Sequence, residues 1–150
     1  MKQINSIWKK GPGKLGILKP LLGSWHAQSE TSMGKVSCFR TFIPILNGKY
    51  VQLNAKWEFG KKVYEEFAIY GIYNSKLSFW SFTSDGKRSE GVLTDGKDIH
   101  PESIAFEAEM PAGLARMIYW PNADGGFNWA VESKNKNGWK RFIEHKYKSI

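Results

Sequence analysis

Cysteine occurs once in the 150 residues, as Cys38. No internal disulfide framework is therefore available, and none of the paired-cysteine spacings that hold zinc or redox couples exists. A lone thiol suits a reducing compartment, so a cytoplasmic location is the expectation. No apolar run approaches the roughly 18 residues that a membrane-spanning helix needs. The opening stretch, MKQINSIWKKGPGKLGILKPLLG, is basic but lacks the continuous apolar core of a secretory signal. Histidine is scarce, with His26, His100 and His145 far apart. There is no Gly-x-Ser-x-Gly elbow, no phosphate-binding loop and no dinucleotide fingerprint. The adjacent carboxylates Glu65 and Glu66 point to opposite faces of an extended chain and do not form a catalytic pair. Enzymes built on small barrels, such as isomerases and dehydratases, set a bound on this exclusion; a non-catalytic protein is the first expectation.

The charge balance is one-sided, 22 Lys and Arg against 14 Asp and Glu, a formal net charge of +8. The lysines are not clustered. Near both ends of the chain they alternate with apolar residues, as on a solvated strand face, and no specific nucleic-acid contact is expected from charge alone.

What the chain does have is aromatic side chains, 15% of the total and spread over seven Trp, nine Phe and six Tyr. Such residues suit a pleated, half-buried surface. Residues 1–13 read as a loose arm ending in Gly-Pro-Gly, and 14–22 as a short helix, with Leu15, Leu18 and Leu22 at helical spacing and Pro20 limiting its length. From Ser24 the period changes to two. Tyr50 to Phe59 is the clearest case, with Val51, Leu53, Ala55, Trp57 and Phe59 set against Tyr50, Gln52, Asn54, Lys56 and Glu58. Tight-turn pairs, Asn47-Gly48, Asn74-Ser75, Asp85-Gly86 and Asp95-Gly96, punctuate the segments. Ten strands result, joined almost entirely by hairpin-length connections. The expected fold is all-β, a single domain with a ten-stranded antiparallel up-and-down β-barrel over 23–148 and the short N-terminal helix closing one end. A two-sheet sandwich, the competing architecture, calls for longer connections between sheets.

Gly23-x-Trp25 at the start of the first strand, behind a short helix, resembles the signature of the calycin group, the lipocalins and fatty-acid-binding proteins. In that group the Trp packs across the barrel floor against a basic side chain of the last strand. The resemblance thus implies a structural floor of Trp25 and Arg141. The stretch from Leu21 onward, with Asn47-Gly48, Gly71-Ile72-Tyr73 and the Asp85-Gly86 turn followed by Gly91, is similar to the DUF1579-like bacterial proteins over roughly residues 21–148. That similarity implies a lipocalin-like barrel and carries no activity with it. The chain is also similar to nitrobindin, a ten-stranded haem-binding barrel with a Trp in this place and a His near its C-terminus. Here His145 would be the axial ligand and haem the cofactor, although the Gly-rich continuation after the nitrobindin Trp is replaced by His26-Ala27-Gln28-Ser29.

In a closed barrel the parity of each strand decides what lines the interior. On the last strand Trp139, Arg141, Ile143, His145 and Tyr147 share one face, against Lys140, Phe142, Glu144 and Lys146, so the first set is expected inside. An inward arginine needs a carboxylate partner, a bound anion or an aromatic face. Arg141 is accordingly assigned either to a carboxylate-bearing ligand, with His145 and Tyr147 as neighbours, or to the floor. Arg40 is left open in parity, with surface exposure favoured. Trp57, Phe79, Phe106, Tyr119, Phe127 and Trp129 fall on inward-leaning faces and either line a ligand cavity or fill the barrel. The functional expectation is non-catalytic binding of a small hydrophobic or amphipathic ligand, with acidic ligands included in that class. A haem protein using His145 is the second expectation. The third is a filled scaffold acting as a homodimer through an outward Trp80 or Phe82.

Overall fold

The computed structural model describes residues 8–32 and 34–150 of the chain; most of the arm expected over 1–13 lies outside them. A six-residue 3-10 turn, Gly16–Leu21, precedes ten strands. These are β1 (Gly23–Thr31), β2 (Gly34–Ile45), β3 (Tyr50–Phe59), β4 (Lys62–Tyr73), β5 (Lys76–Thr83), β6 (Arg88–Thr94), β7 (Ile104–Met110), β8 (Gly113–Pro121), β9 (Phe127–Asn135) and β10 (Gly138–Ser149). Each pairs antiparallel with its sequence neighbour, and β10 returns to β1, so the sheet is a closed up-and-down barrel. Closure leaves no free edge to template association. The seam pairs Trp25 with Ser149 and His26 with Lys148, and Ile150 N–H adds a bond to the Ser24 carbonyl. None of the helices among the described residues is long and apolar enough to cross a membrane.

The connections follow from local chemistry. Asn74 and Ser75 both take positive φ, 51° and 64°, between the paired Tyr73 and Lys76. This left-handed pair matches the twist of the flanking strands, and Asn tolerates it better than most residues. Gly91 has a different reason. A Cβ there would sit 2.3 Å from the Glu107 carbonyl oxygen and 2.6 Å from the Phe79 ring, so the absent side chain lets β6 lie against both.

The expected helix over 14–22 is the tighter 3-10 form. Pro20 lies inside it and supplies no N–H, so a few residues wound at three per turn replace a longer α-helix. Leu18 and Leu21 are fully buried and join Trp25 in one apolar cluster with the interior side chains of the strands. Trp25 Nε1 donates to the Leu21 carbonyl at 2.8 Å, and its ring meets Phe127 edge-on with centroids 4.8 Å apart. The turn and Trp25 close one end of the barrel.

One strand breaks the alternation. β10 pairs with β9 as Arg141↔Glu132 and then Ile143↔Val131, a β-bulge that accommodates Phe142 as an extra residue. Parity reverses across a bulge. Ile143, His145 and Tyr147 therefore face inward, whereas Trp139 and Arg141 face outward. The floor and ligand roles expected of Arg141 are thereby corrected. Its Nε donates to Glu132 at 2.9 Å, its Nη1 to Glu144 at 2.9 Å, and its guanidinium lies 5.1 Å from the Trp120 ring centroid.

Glu132 is the centre of this outer network. It also accepts from Arg116 Nε at 2.9 Å, while the Arg116 Nη atoms reach Asp98 at 3.0 and 2.7 Å and its guanidinium lies 4.4 Å from the Trp139 centroid. The Arg116 and Glu132 side chains are 3% and 5% exposed, against 30% for Arg141. Removing a buried partner strands a charge, whereas a half-solvated one is largely screened. Urea denaturation is expected to show Glu132→Ala costing about 3 kcal/mol and Arg141→Ala less than about 1 kcal/mol.

Candidate functional site

The barrel interior divides into layers set by the strand register. Next to the 3-10 turn lies Trp25, with Phe127 edge-on against it and Tyr147 stacked on Phe127, all buried. At the opposite end a cavity of about 280 Å³ opens between the hairpin turns. Its walls are Trp57, Phe79, Phe106, Met117 and Trp129, and its rim carries Lys87 and Arg88. Glu66 lines it too, accepting a 2.6 Å hydrogen bond from Ser81 Oγ. Volume and lining suit a small, mostly apolar guest with a few polar anchors.

Between cavity and floor sits Arg40. It extends inward from β2 and is 1% exposed, contrary to the surface position favoured for it. The four-residue alternation Val36, Cys38, Arg40, Phe42 is uniformly buried, so the cation occupies a slot that the strand pattern reserves for an apolar side chain. Sequence alone left this parity open because Phe39, Thr41 and Ile43 make the outer face mixed. Pairing with β1 and β3 settles it, since Arg40 lies between Trp25 and Ala55 in register, both inward.

Arg40 Nη2 donates to Tyr119 Oη at 2.6 Å, and the Trp129 ring centroid lies 4.6 Å from the guanidinium carbon. Among the described residues Nε and Nη1 have no hydrogen-bond partner, and neither do the Tyr70 hydroxyl and Trp129 Nε1. Among the described residues no carboxylate comes within ion-pair distance of Arg40. Burial works against its charge, and surrounding groups that include Glu66 offset this, so the guanidinium stays protonated. Burial also raises the Tyr70 and Tyr119 phenols above their ordinary range, so both remain neutral donors.

The other assigned residues are brought to the interior. His145 and Tyr147 lie behind the cavity, with the His145 ring centroid 5.2 Å from Trp57 and 5.3 Å from Trp129. Burial, and after it the Arg40 charge, pushes His145 down to about 4. Its Nε2 is 3.9 Å from Cys38 Sγ, and its Nδ1 is 3.4 Å from Tyr147 Oη. Burial holds the Cys38 thiol up at about 11 despite the nearby Arg40. A neutral imidazole beside a protonated thiol is not an activated nucleophile. Both ring nitrogens face protein groups, and two indoles separate the ring from the cavity. The residues present therefore do not fit an axial haem ligand at His145.

Comparison of the chain with protein-family models and with curated proteins finds no match.

A buried neutral imidazole has a linkage consequence. The His145 folded-state value, about 4, lies below the ordinary 6.5 of the unfolded chain. Its stabilisation is present above pH 6.5 and is lost as the pH falls toward 4, because the unfolded state takes up the proton first. The loss is on the order of 3 kcal/mol. Melting curves across this window are expected to show a His145→Gln variant less acid-sensitive than the parent.

Proposed function

We propose that this barrel binds a small hydrophobic or amphipathic ligand, acidic in character, and does not transform it. The observation that carries this is the aromatic-walled cavity at the end opposite the 3-10 turn. A barrel closed at one end by Trp25 and open at the other is a one-entrance container. Trp57, Phe79, Phe106 and Trp129 supply apolar area, and Lys87 and Arg88 give the entrance a positive field that favours anions over cations. The groups that carry acid–base or nucleophilic chemistry elsewhere are muted here. His145 is neutral and Cys38 is a thiol.

The Gly23-x-Trp25 floor and up-and-down order support placing the chain among calycin-like barrels of the DUF1579 type. The single buried thiol of Cys38 is in keeping with a cytoplasmic setting. A second reading, a homodimer, has its own observation. Phe67 and Phe82 pair directly across β4 and β5 on the outer face and are 41% and 47% exposed. That places two aromatic rings together in solvent.

Octanol is a suitable neutral probe of the cavity. Calorimetric titration is expected to give saturable one-to-one binding. Ala108→Phe, which extends a ring from the cavity wall, is expected to weaken it roughly tenfold or more, since a filled pocket has little room for a guest. Unchanged affinity in this variant would place octanol elsewhere and overturn the assignment.

A further inference from the structure

Four groups from four strands meet in the layer below the cavity: Arg40 on β2, Tyr70 on β4, Tyr119 on β8 and Trp129 on β9. Arg40 is the one fixed cation among them, and two of its donor nitrogens have no acceptor among the described residues. The Tyr70 hydroxyl and the Trp129 indole N–H are likewise buried and unpartnered. A buried donor left without an acceptor is costly, and an unpaired buried charge is more so. Four of these atoms belong to one layer, whose one cation is Arg40 and whose charge is felt by Glu66 on the cavity wall.

Two side chains connect this layer to the cavity. Trp129 lines the cavity and also lies over the Arg40 guanidinium. Phe106 lines it and packs edge-on against Tyr70, with ring centroids 5.2 Å apart. The aromatic wall at the base of the cavity is therefore the roof of the donor layer.

Resting on the cavity assignment above, we infer that the ligand is a compact monocarboxylate with an apolar tail. Its carboxylate enters the inner layer and accepts from Arg40 Nε or Nη1, with the Tyr70 hydroxyl and Trp129 Nε1 as further donors. The tail remains between Trp57, Phe79 and Phe106. Trp129 is the side chain that yields to admit the head group. The stoichiometry favours a monoanion, because one guanidinium supplies one positive charge and the phenols supply none. Glu66 on the cavity wall repels any anion, and a dianionic head doubles that repulsion while carrying an uncompensated charge into the interior.

Three probes with one tail separate the possibilities: octanoate, octyl phosphate and octanol, each titrated calorimetrically at neutral pH. The wild-type protein is expected to prefer octanoate to octanol by roughly tenfold or more, the scale of a charge-assisted hydrogen bond, and to prefer it to octyl phosphate. Arg40→Met, which keeps an unbranched buried chain and removes the charge, is expected to abolish the octanoate preference and leave octanol binding within about twofold. Equal affinity for octanoate and octanol in the wild type would overturn the inference while leaving the cavity assignment standing. Tighter binding of octyl phosphate would overturn the carboxylate assignment. Binding of no probe would remove the cavity assignment and this inference together. A preference that survives Arg40→Met, or that is lost in a Lys87→Met/Arg88→Met variant, would assign it to the rim and overturn the inference; the rim variant decides the matter even if Arg40→Met does not fold.

Discussion

Every feature of this molecule depends on the closure of the hydrogen-bonded ladder between β1 and β10. Once the sheet returns on itself, each strand has one face directed at a shared interior and one at solvent, with no edge where the pattern can relax. The barrel then holds whatever those inward faces carry. Most of that is aromatic, and the rings pack edge-on or tilted against each other through the interior. The turn at Gly16–Leu21 adds two buried leucines and a carbonyl for the Trp25 indole, which seals one end. Access is left at the other.

Register turns Arg40 into the interior that closure encloses: its neighbours on both sides, Trp25 and Ala55, are already committed to that face. The result is a charge stabilised by one phenol and an indole face, below an aromatic cavity with a basic rim. Arg116 differs. That arginine is equally buried but lies on the outer face and spends its donors on Glu132 and Asp98. Two buried arginines thus sit in one small barrel, one saturated by carboxylates and one not. A saturated arginine is a staple. The other retains donors, and that difference directs attention to the interior.

His145 shows how position overrides residue type. Histidine near the end of the last strand invites a metal or acid–base role, yet burial and the Arg40 charge hold it neutral, and Cys38 and Tyr147 face its two nitrogens. Its contribution is to fill the space between Trp57 and Trp129 and to place a proton-linked weakness in the core.

The strands, their order and most of the interior are legible in the amino-acid pattern. Period-two alternation in segments such as Val51–Phe59 leaves one workable face for a core, and short turn signals permit neighbours only to pair antiparallel. Trp57, Phe79, Phe106, Tyr119, Trp129, His145 and Tyr147 were legible as inward for that reason. The facing of the two arginines comes from strand pairing. A bulge at Phe142 reverses the parity of β10, and nothing in the local pattern of Trp139–Tyr147 reports it, because pairing with β9 is what creates the extra residue. Arg141 is thereby turned out to Glu132 and Glu144. Arg40 lies on a strand whose two faces are similar in polarity, so only its register against β1 and β3 could turn it in. The cavity, its closed floor and the unpartnered donors between them are properties of ten strands meeting, which no one segment encodes.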